Sequence, residues 1–153
     1  MNTSNEPPNR RQAFAREIIL ASGARPADRV TIAGTDDLEL LVEFIRRGFT
    51  HVLCRAADRG PHLAEASADI LIAPGIRSEA DLRSVMTRLG RDLRPNGTLV
   101  VSFARRRSSF DERRLRRCLM EGGFTAMERI AGRGDAGTLW CARRSPAAML
   151  RAA

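Results

Sequence analysis

Along this chain, segments with the repeat of an amphipathic helix alternate with short extended apolar runs, an order that restricts the fold to an α/β sheet of mostly parallel strands. A first helix is predicted over residues 10–22, with Phe14 and Ile18 on one face and Gly23 as its stop, and a buried strand over 29–33. Leu38, Leu41, Val42 and Ile45 recur at helical spacing, so they are expected to form the inward stripe of a second helix that ends at Gly48. A second strand is expected at 51–54 and a third at 69–73, the latter broken by Pro74 and Gly75. Ser78 and Asp81 have capping-box spacing and open a helix whose buried stripe is Leu82, Val85, Met86, Leu89 and Leu93.

The rest of the chain ends the alternation. Residues 93–97 read as a turn, because Pro95 presets φ and Gly97 accepts positive φ, and residues 98–103 read as the fourth strand. Ser109 with Glu112 is a second capping-box pattern, ahead of a helix with Leu115, Cys118 and Leu119 inward and Gly122–Gly123 as its stop. Residues 124–131 and 138–143, joined by a loop at 132–137, read as a terminal antiparallel hairpin. A chain of 153 residues buries roughly 70% of its unfolded surface as one domain. That domain is expected over 10–144, between a disordered tail at 1–9 and a C-terminal tail at 145–153. No uncharged apolar run approaches the ~20 residues of a membrane helix, and the polar start lacks a secretory pattern, so a cytoplasmic protein with no membrane contact is expected.

Charge is distributed unevenly. All 26 basic residues are arginine; residues 1–75 hold 9 of them against 10 acids, net −1, and residues 76–153 hold 17 against 8, net +9. Between Arg105 and Arg117 seven arginines face two acids. On a helical wheel Arg113 and Arg117 lie opposite the Leu115, Cys118 and Leu119 stripe. Arg105, Arg106, Arg107, Arg113 and Arg117 are therefore the candidate contacts to a polyanion, either an acidic protein or a nucleic-acid backbone, with a solvated basic face as the alternative. Six Phe and one Trp, most of them placed as core, leave little for base stacking, so any nucleic-acid binding is expected to be backbone-driven and salt-sensitive. Cys54, Cys118 and Cys141 are too far apart for a disulfide framework or a zinc pattern, and His51 and His62 have no evident partner.

Ala68-Asp69-Ile70-Leu71-Ile72, then Leu93-Arg94-Pro95-Asn96-Gly97-Thr98-Leu99-Val100-Val101, then Glu121-Gly122-Gly123-Phe124, stand in an order that resembles the class I S-adenosylmethionine-dependent methyltransferase family. They match its fourth strand, its L-[KR]-P-G-G turn with the fifth strand, and the E-A-G-F before its hairpin. The resemblance spans about residues 29–144 and implies a Rossmann-like fold. It also implies where a cofactor would lie, at Gly34, Thr35, Asp36, Cys54 and Ala73.

Those positions depart from the family's pattern. Its G-x-G-x-G loop is here Ala33-Gly34-Thr35-Asp36-Asp37, and the ribose-binding acid that ends its second strand falls at Cys54 or Arg55. Only 14 residues, 55–68, stand where the family places a helix, a strand and another helix, so part of the usual middle region is expected to be missing. Losing two charge-assisted hydrogen bonds weakens binding by roughly 10²- to 10⁴-fold. Asp36 also has capping-box spacing to Glu39, and Ala73-Pro74-Gly75 replaces the N-P-P-Y-type sequence that holds a base-amino target.

Two other patterns carry less. Residues 132–137 fit G-x-G-x-x-G but precede a strand rather than a helix, so they read as a hairpin loop. Asp36-Asp37 resembles the acidic pair of receiver domains, but the chain has no lysine and places Ala73-Pro74 where a phospho-accepting aspartate is needed. The expectation is a methyltransferase-like binding or regulatory module with no catalytic residue and no cofactor. The alternatives are an active methyltransferase holding S-adenosylmethionine through an atypical site, or one completed by another subunit, and a backbone-driven nucleic-acid-binding protein.

Overall fold

The computed structural model describes residues 10–34, 37–56, 67–104, 111–131 and 138–146. The elements are α1 (Arg10–Ser22), β1 (Arg29–Ala33), α2 (Leu38–Arg46), β2 (His51–Arg55), β3 (Ala68–Ile76), α3 (Glu79–Leu89), a single 3-10 turn (Gly90–Asp92), β4 (Leu93–Phe103), α4 (Glu112–Glu121), β5 (Phe124–Ala131) and β6 (Thr138–Arg144). They form one six-stranded sheet in the order β2-β1-β3-β4-β6-β5. β2, β1, β3 and β4 run parallel, while β6 pairs antiparallel with both β4 and β5. The expected four parallel strands and closing hairpin are therefore present.

Strand alternation assigns the two faces of the sheet. Val30, Ile32, Ile70, Ile72, Val100 and Leu139 meet Phe14, Ile18, Leu40 and Phe44 of α1 and α2. Leu71, Leu99, Val101 and Trp140 meet Leu82, Val85, Met86, Leu115 and Leu119 of α3 and α4. Each fully buried aliphatic or aromatic side chain contributes roughly 1.5–3 kcal/mol, so these two layers hold the sheet between them.

Several expectations are corrected. α2 does not bury the stripe of Leu38, Leu41, Val42 and Ile45: Leu38, Val42 and Ile45 are 61%, 42% and 55% exposed, and Leu40 and Phe44 are buried instead. The helix has apolar residues on two sides. Phe44, the largest of them, reaches Phe49 edge-to-face with ring centroids 4.9 Å apart, and that contact turns the Leu40 and Phe44 side inward. Pro74 and Gly75 do not end β3, which continues to Ile76 through a register shift; Gly75 N–H donates to Ser102 Oγ at 3.1 Å, so the strand keeps a partner where proline has no N–H to give. Likewise residues 94–97 do not precede β4 but bulge from it, with Leu93 already paired to Ala68 and Asn96 at φ 61°.

The helix caps divide in the same way. Ser78 caps α3 as expected, its Oγ accepting from Asp81 N–H at 3.1 Å. α4 is capped by Asp111, whose carboxylate accepts from Arg113 N–H at 3.1 Å; Asp111 adjoins the first helical turn, and Ser109 lies outside the described residues. At α2 the N-cap position is Asp37, which makes no side-chain cap bond; its two carboxylate oxygens lie 3.0 and 3.2 Å from the Arg11 guanidinium of α1.

Candidate functional site

At the carboxyl ends of β1 and β3 the chain leaves an open cleft of about 260 Å³, lined by Ala33, Gly34, Ala73, Pro74 and Gly75 and walled by Asp81, Ser84 and Val85 of α3. This is where an open parallel sheet binds ligands, beyond its strands where chain direction diverges. Gly34 has φ +115° and Gly75 φ +66°, and a Cβ at either would meet nothing within 4 Å. The cleft therefore presents bare backbone at two points. Gly34 is fixed by its N–H, which donates to the Arg55 carbonyl at 2.7 Å. Asp81 is partly occupied, since its carboxylate accepts from Arg77 N–H at 3.1 Å.

The structure thus brings Gly34, Ala73, Pro74 and Gly75 together. Cys54 does not line the cleft: it is partly buried on the α1–α2 face, where burial first and Asp37 second push its thiol up from the ordinary range. Thr35 and Asp36 lie outside the described residues. The sequence reading missed Asp81, Ser84 and Val85; their spacing puts them on one face of α3, and a helix starting two residues after β3 must lean over that strand's end.

The end of β2 is committed elsewhere. Arg55 sends its guanidinium to the carboxylate of Asp92, just before β4, and the two side chains are only 13% and 4% exposed. Where an acid would accept hydrogen bonds from a ribose, a cation stands in a buried ion pair. Removing Arg55 would leave a buried carboxylate without this cation, and Arg55, turned to Asp92, does not line the cleft.

A second candidate surface lies on α4. Arg113, Arg114, Arg116 and Arg117 are all exposed. Arg116 is engaged, with Glu112 at 3.1 Å and the Trp140 ring 5.2 Å beneath it. Arg113 and Arg117 point away from the Leu115, Cys118 and Leu119 core stripe and form no ion pair among the described residues. Arg105, Arg106 and Arg107 lie outside the described residues, as do His62 and the 132–137 loop. Among the described residues no three His, Cys, Asp or Glu side chains cluster as metal ligands, and no helix is long and apolar enough to cross a membrane.

Fold comparison places this arrangement. An amino pentose methyltransferase from Micromonospora echinaspora, solved with S-adenosylmethionine bound, superposes over 90% of this chain and 92% of its own with a TM-score of 0.68 at 14% identity. A SAM-dependent methyltransferase from Thermotoga maritima covers 88% and 91% with a TM-score of 0.61 at 15% identity. A complex from Haloferax volcanii between a methyltransferase activator and its methyltransferase gives 89% and 91%, 0.63 and 12%. No family model matches the sequence, and no curated protein matches it.

The chain accordingly has the class I methyltransferase fold, in a shortened form. β1 lies directly between β2 and β3, and β2 is an outer strand of the sheet. Among the described residues no strand pairs with β2 on its outer side.

Proposed function

We propose that this protein is a methyltransferase-like binding module that does not transfer methyl groups. The reading is carried by the end of β2, where Arg55 in its pair with Asp92 replaces a ribose-binding carboxylate. The cleft still offers bare backbone at Gly34 to a methionine moiety, but the residues present do not fit the adenosine half of S-adenosylmethionine. Its volume of about 260 Å³ is also below the ~300–1,000 Å³ of ordinary small-molecule sites.

Binding in this reading passes through the basic C-terminal half. Arg113 and Arg117, with Arg105, Arg106 and Arg107 ahead of α4, contact the phosphates of a nucleic acid or the carboxylates of an acidic protein. The charge excess of +9 in residues 76–153 supports it. The protein is placed in the cytoplasm.

Calorimetry with S-adenosylmethionine and S-adenosylhomocysteine tests the first half. No heat is expected at micromolar ligand, and micromolar affinity would overturn the non-catalytic reading. Titration with duplex DNA, duplex RNA and a polyglutamate peptide across a salt series tests the second. Replacing Arg113 and Arg117 by alanine is expected to lower the slope of log affinity against log salt by roughly 2 on duplex DNA. An unchanged slope, or no binding of any of the three at low salt, would remove the polyanion surface.

A further inference from the structure

A larger cleft, of about 400 Å³, lies at the opposite end of the strands from Gly34, where β1, β2 and β3 begin. Its lining includes Arg29, Thr31, Thr50, His51, Leu53 and Ser67. Val30, Ile32, Val52 and Cys54 pack under α1 and α2, so strand alternation puts Arg29, Thr31, His51 and Leu53 on the other face of the sheet. There the core beneath α3 and α4 takes in Ala33 of β1 and no residue of β2. Thr31 is only 4% exposed, and its hydroxyl makes no hydrogen bond among the described residues. It is not a sealed orphan either, so its oxygen opens into the cleft. A shielded hydroxyl without a partner is costly, and a ligand in the cleft would supply one.

We propose that this cleft binds a small organic acid, its carboxylate held by Arg29 and His51 and its apolar body laid on Leu53. The register places Arg29 beside His51 and Thr31 beside Leu53. Neighbouring strands lie about 4.8 Å apart and alternate residues on one face about 6.6 Å apart, so the four side chains mark a rectangle the size of such an acid. The guanidinium presents paired N–H donors that match the two oxygens of a carboxylate, and the imidazole adds a further N–H. Thr31, one step along the strand, donates to an oxygen of the same group. Leu53, 49% exposed, offers the apolar floor.

The charges at the cleft select a monoanion. Asp69, close by, accepts from Arg29 N–H at 2.7 Å and pairs with Arg94 Nε at 2.7 Å, so Arg94 matches its charge. The Arg29 guanidinium forms no ion pair among the described residues and is the one unmatched arginine in the lining. A single carboxylate balances it, whereas a doubly charged phosphate would bring a second charge toward Asp69 with nothing to meet it. The volume falls within the ~300–1,000 Å³ of ordinary small-molecule sites, unlike that of the cleft beside Gly34. The two clefts are separated by the length of β1, roughly 13 Å from Arg29 to Ala33. This site does not depend on whether the Gly34 cleft or the arginine surface binds anything.

Titration of the full chain with benzoate, followed by the backbone amide signals in NMR, tests it. Shifts are expected at Thr31, His51 and Leu53, saturating at millimolar benzoate or below. Benzamide, of the same shape without the charge, and acetate and inorganic phosphate, without the ring, are each expected to bind at least tenfold more weakly. Arg29→Gln is expected to weaken benzoate about tenfold or more, Thr31→Val about fivefold, and Arg117→Ala not at all. Arg29 is exposed and Thr31→Val keeps the side chain's volume, so both variants are expected to retain the dispersed amide spectrum of the folded chain. Benzamide binding as well as benzoate, shifts centred on α4 or on Gly34 instead, affinity untouched by both variants, or no shifts at all would overturn the proposal.

Discussion

The middle of the sheet and its β2 edge are built differently. β3, β4 and β6 are covered on both faces, with Leu71, Leu99, Val101 and Trp140 under α3 and α4 and Ile70, Ile72, Val100 and Leu139 under α1 and α2. β2 has no fully buried residue and is exposed at His51 and Leu53. The likeness to the methyltransferase fold rests on the well-covered strands, while the buried Arg55–Asp92 pair joins the end of the thin β2 strand to the start of β4.

The strongest test of this difference compares two leucines. Leu71→Ala, fully buried, is expected to cost about 4 kcal/mol in urea unfolding. Leu53→Ala is expected to stay within about 0.5 kcal/mol. Comparable costs would show that the β2 edge is as load-bound as the middle.

The buried ion pair comes next. Asp92→Asn takes a buried carboxylate away from the Arg55 guanidinium and is expected to cost about 3 kcal/mol. Asp69 also pairs with an arginine, Arg94 at 2.7 Å, and accepts from Arg29 N–H at 2.7 Å, but Arg94 is 52% exposed. Asp69→Asn is therefore expected to cost roughly 1 kcal/mol. If the two variants cost the same, burial adds nothing to the Arg55–Asp92 pair.

What the sequence revealed follows the same division. Around β3, α3 and α4 each apolar residue has one possible side to face, so Leu82, Val85, Leu115 and Leu119 were legible from spacing alone. In α2 two apolar stripes compete, and spacing alone does not say which one a sheet covers. Phe44 and its contact with Phe49 settle that in space. At the cleft, Gly34 and Ala73 were legible because strand ends mark it. The Arg55–Asp92 pair was not, since 37 residues separate partners that no local pattern links.

A smaller effect separates two glycines. Gly75 sits at φ +66°, a conformation that costs an L-residue about 1–2 kcal/mol, so Gly75→Ala is expected to lose about that much although its Cβ has room. Gly90 has ordinary helical angles and equal room, so Gly90→Ala is expected to gain up to roughly 1 kcal/mol by restricting the unfolded chain. A neutral Gly75→Ala would mean that the β3 end relaxes easily, as a mobile cleft wall does.

The smallest effect is the cleanest to measure, because composition isolates it. With no lysine and no tyrosine in the chain, the side chains that titrate between pH 8 and 12 are the three thiols. Burial pushes all three up, and Cys141, within β6 and opposite Glu128 of β5, reaches about 11. Folded thiols thus keep their protons where unfolded ones release them near pH 9. Their contribution is fully present below pH 9 and is lost as pH climbs toward 11, so the loss from Cys141 by about pH 10 is roughly 1 kcal/mol. Cys141→Ala is expected to flatten most of the alkaline fall in the urea midpoint, and Cys54→Ala, at the β2 edge, to flatten little of it. The reverse order would place the better-shielded thiol on β2 and undo the contrast between the middle of the sheet and that edge.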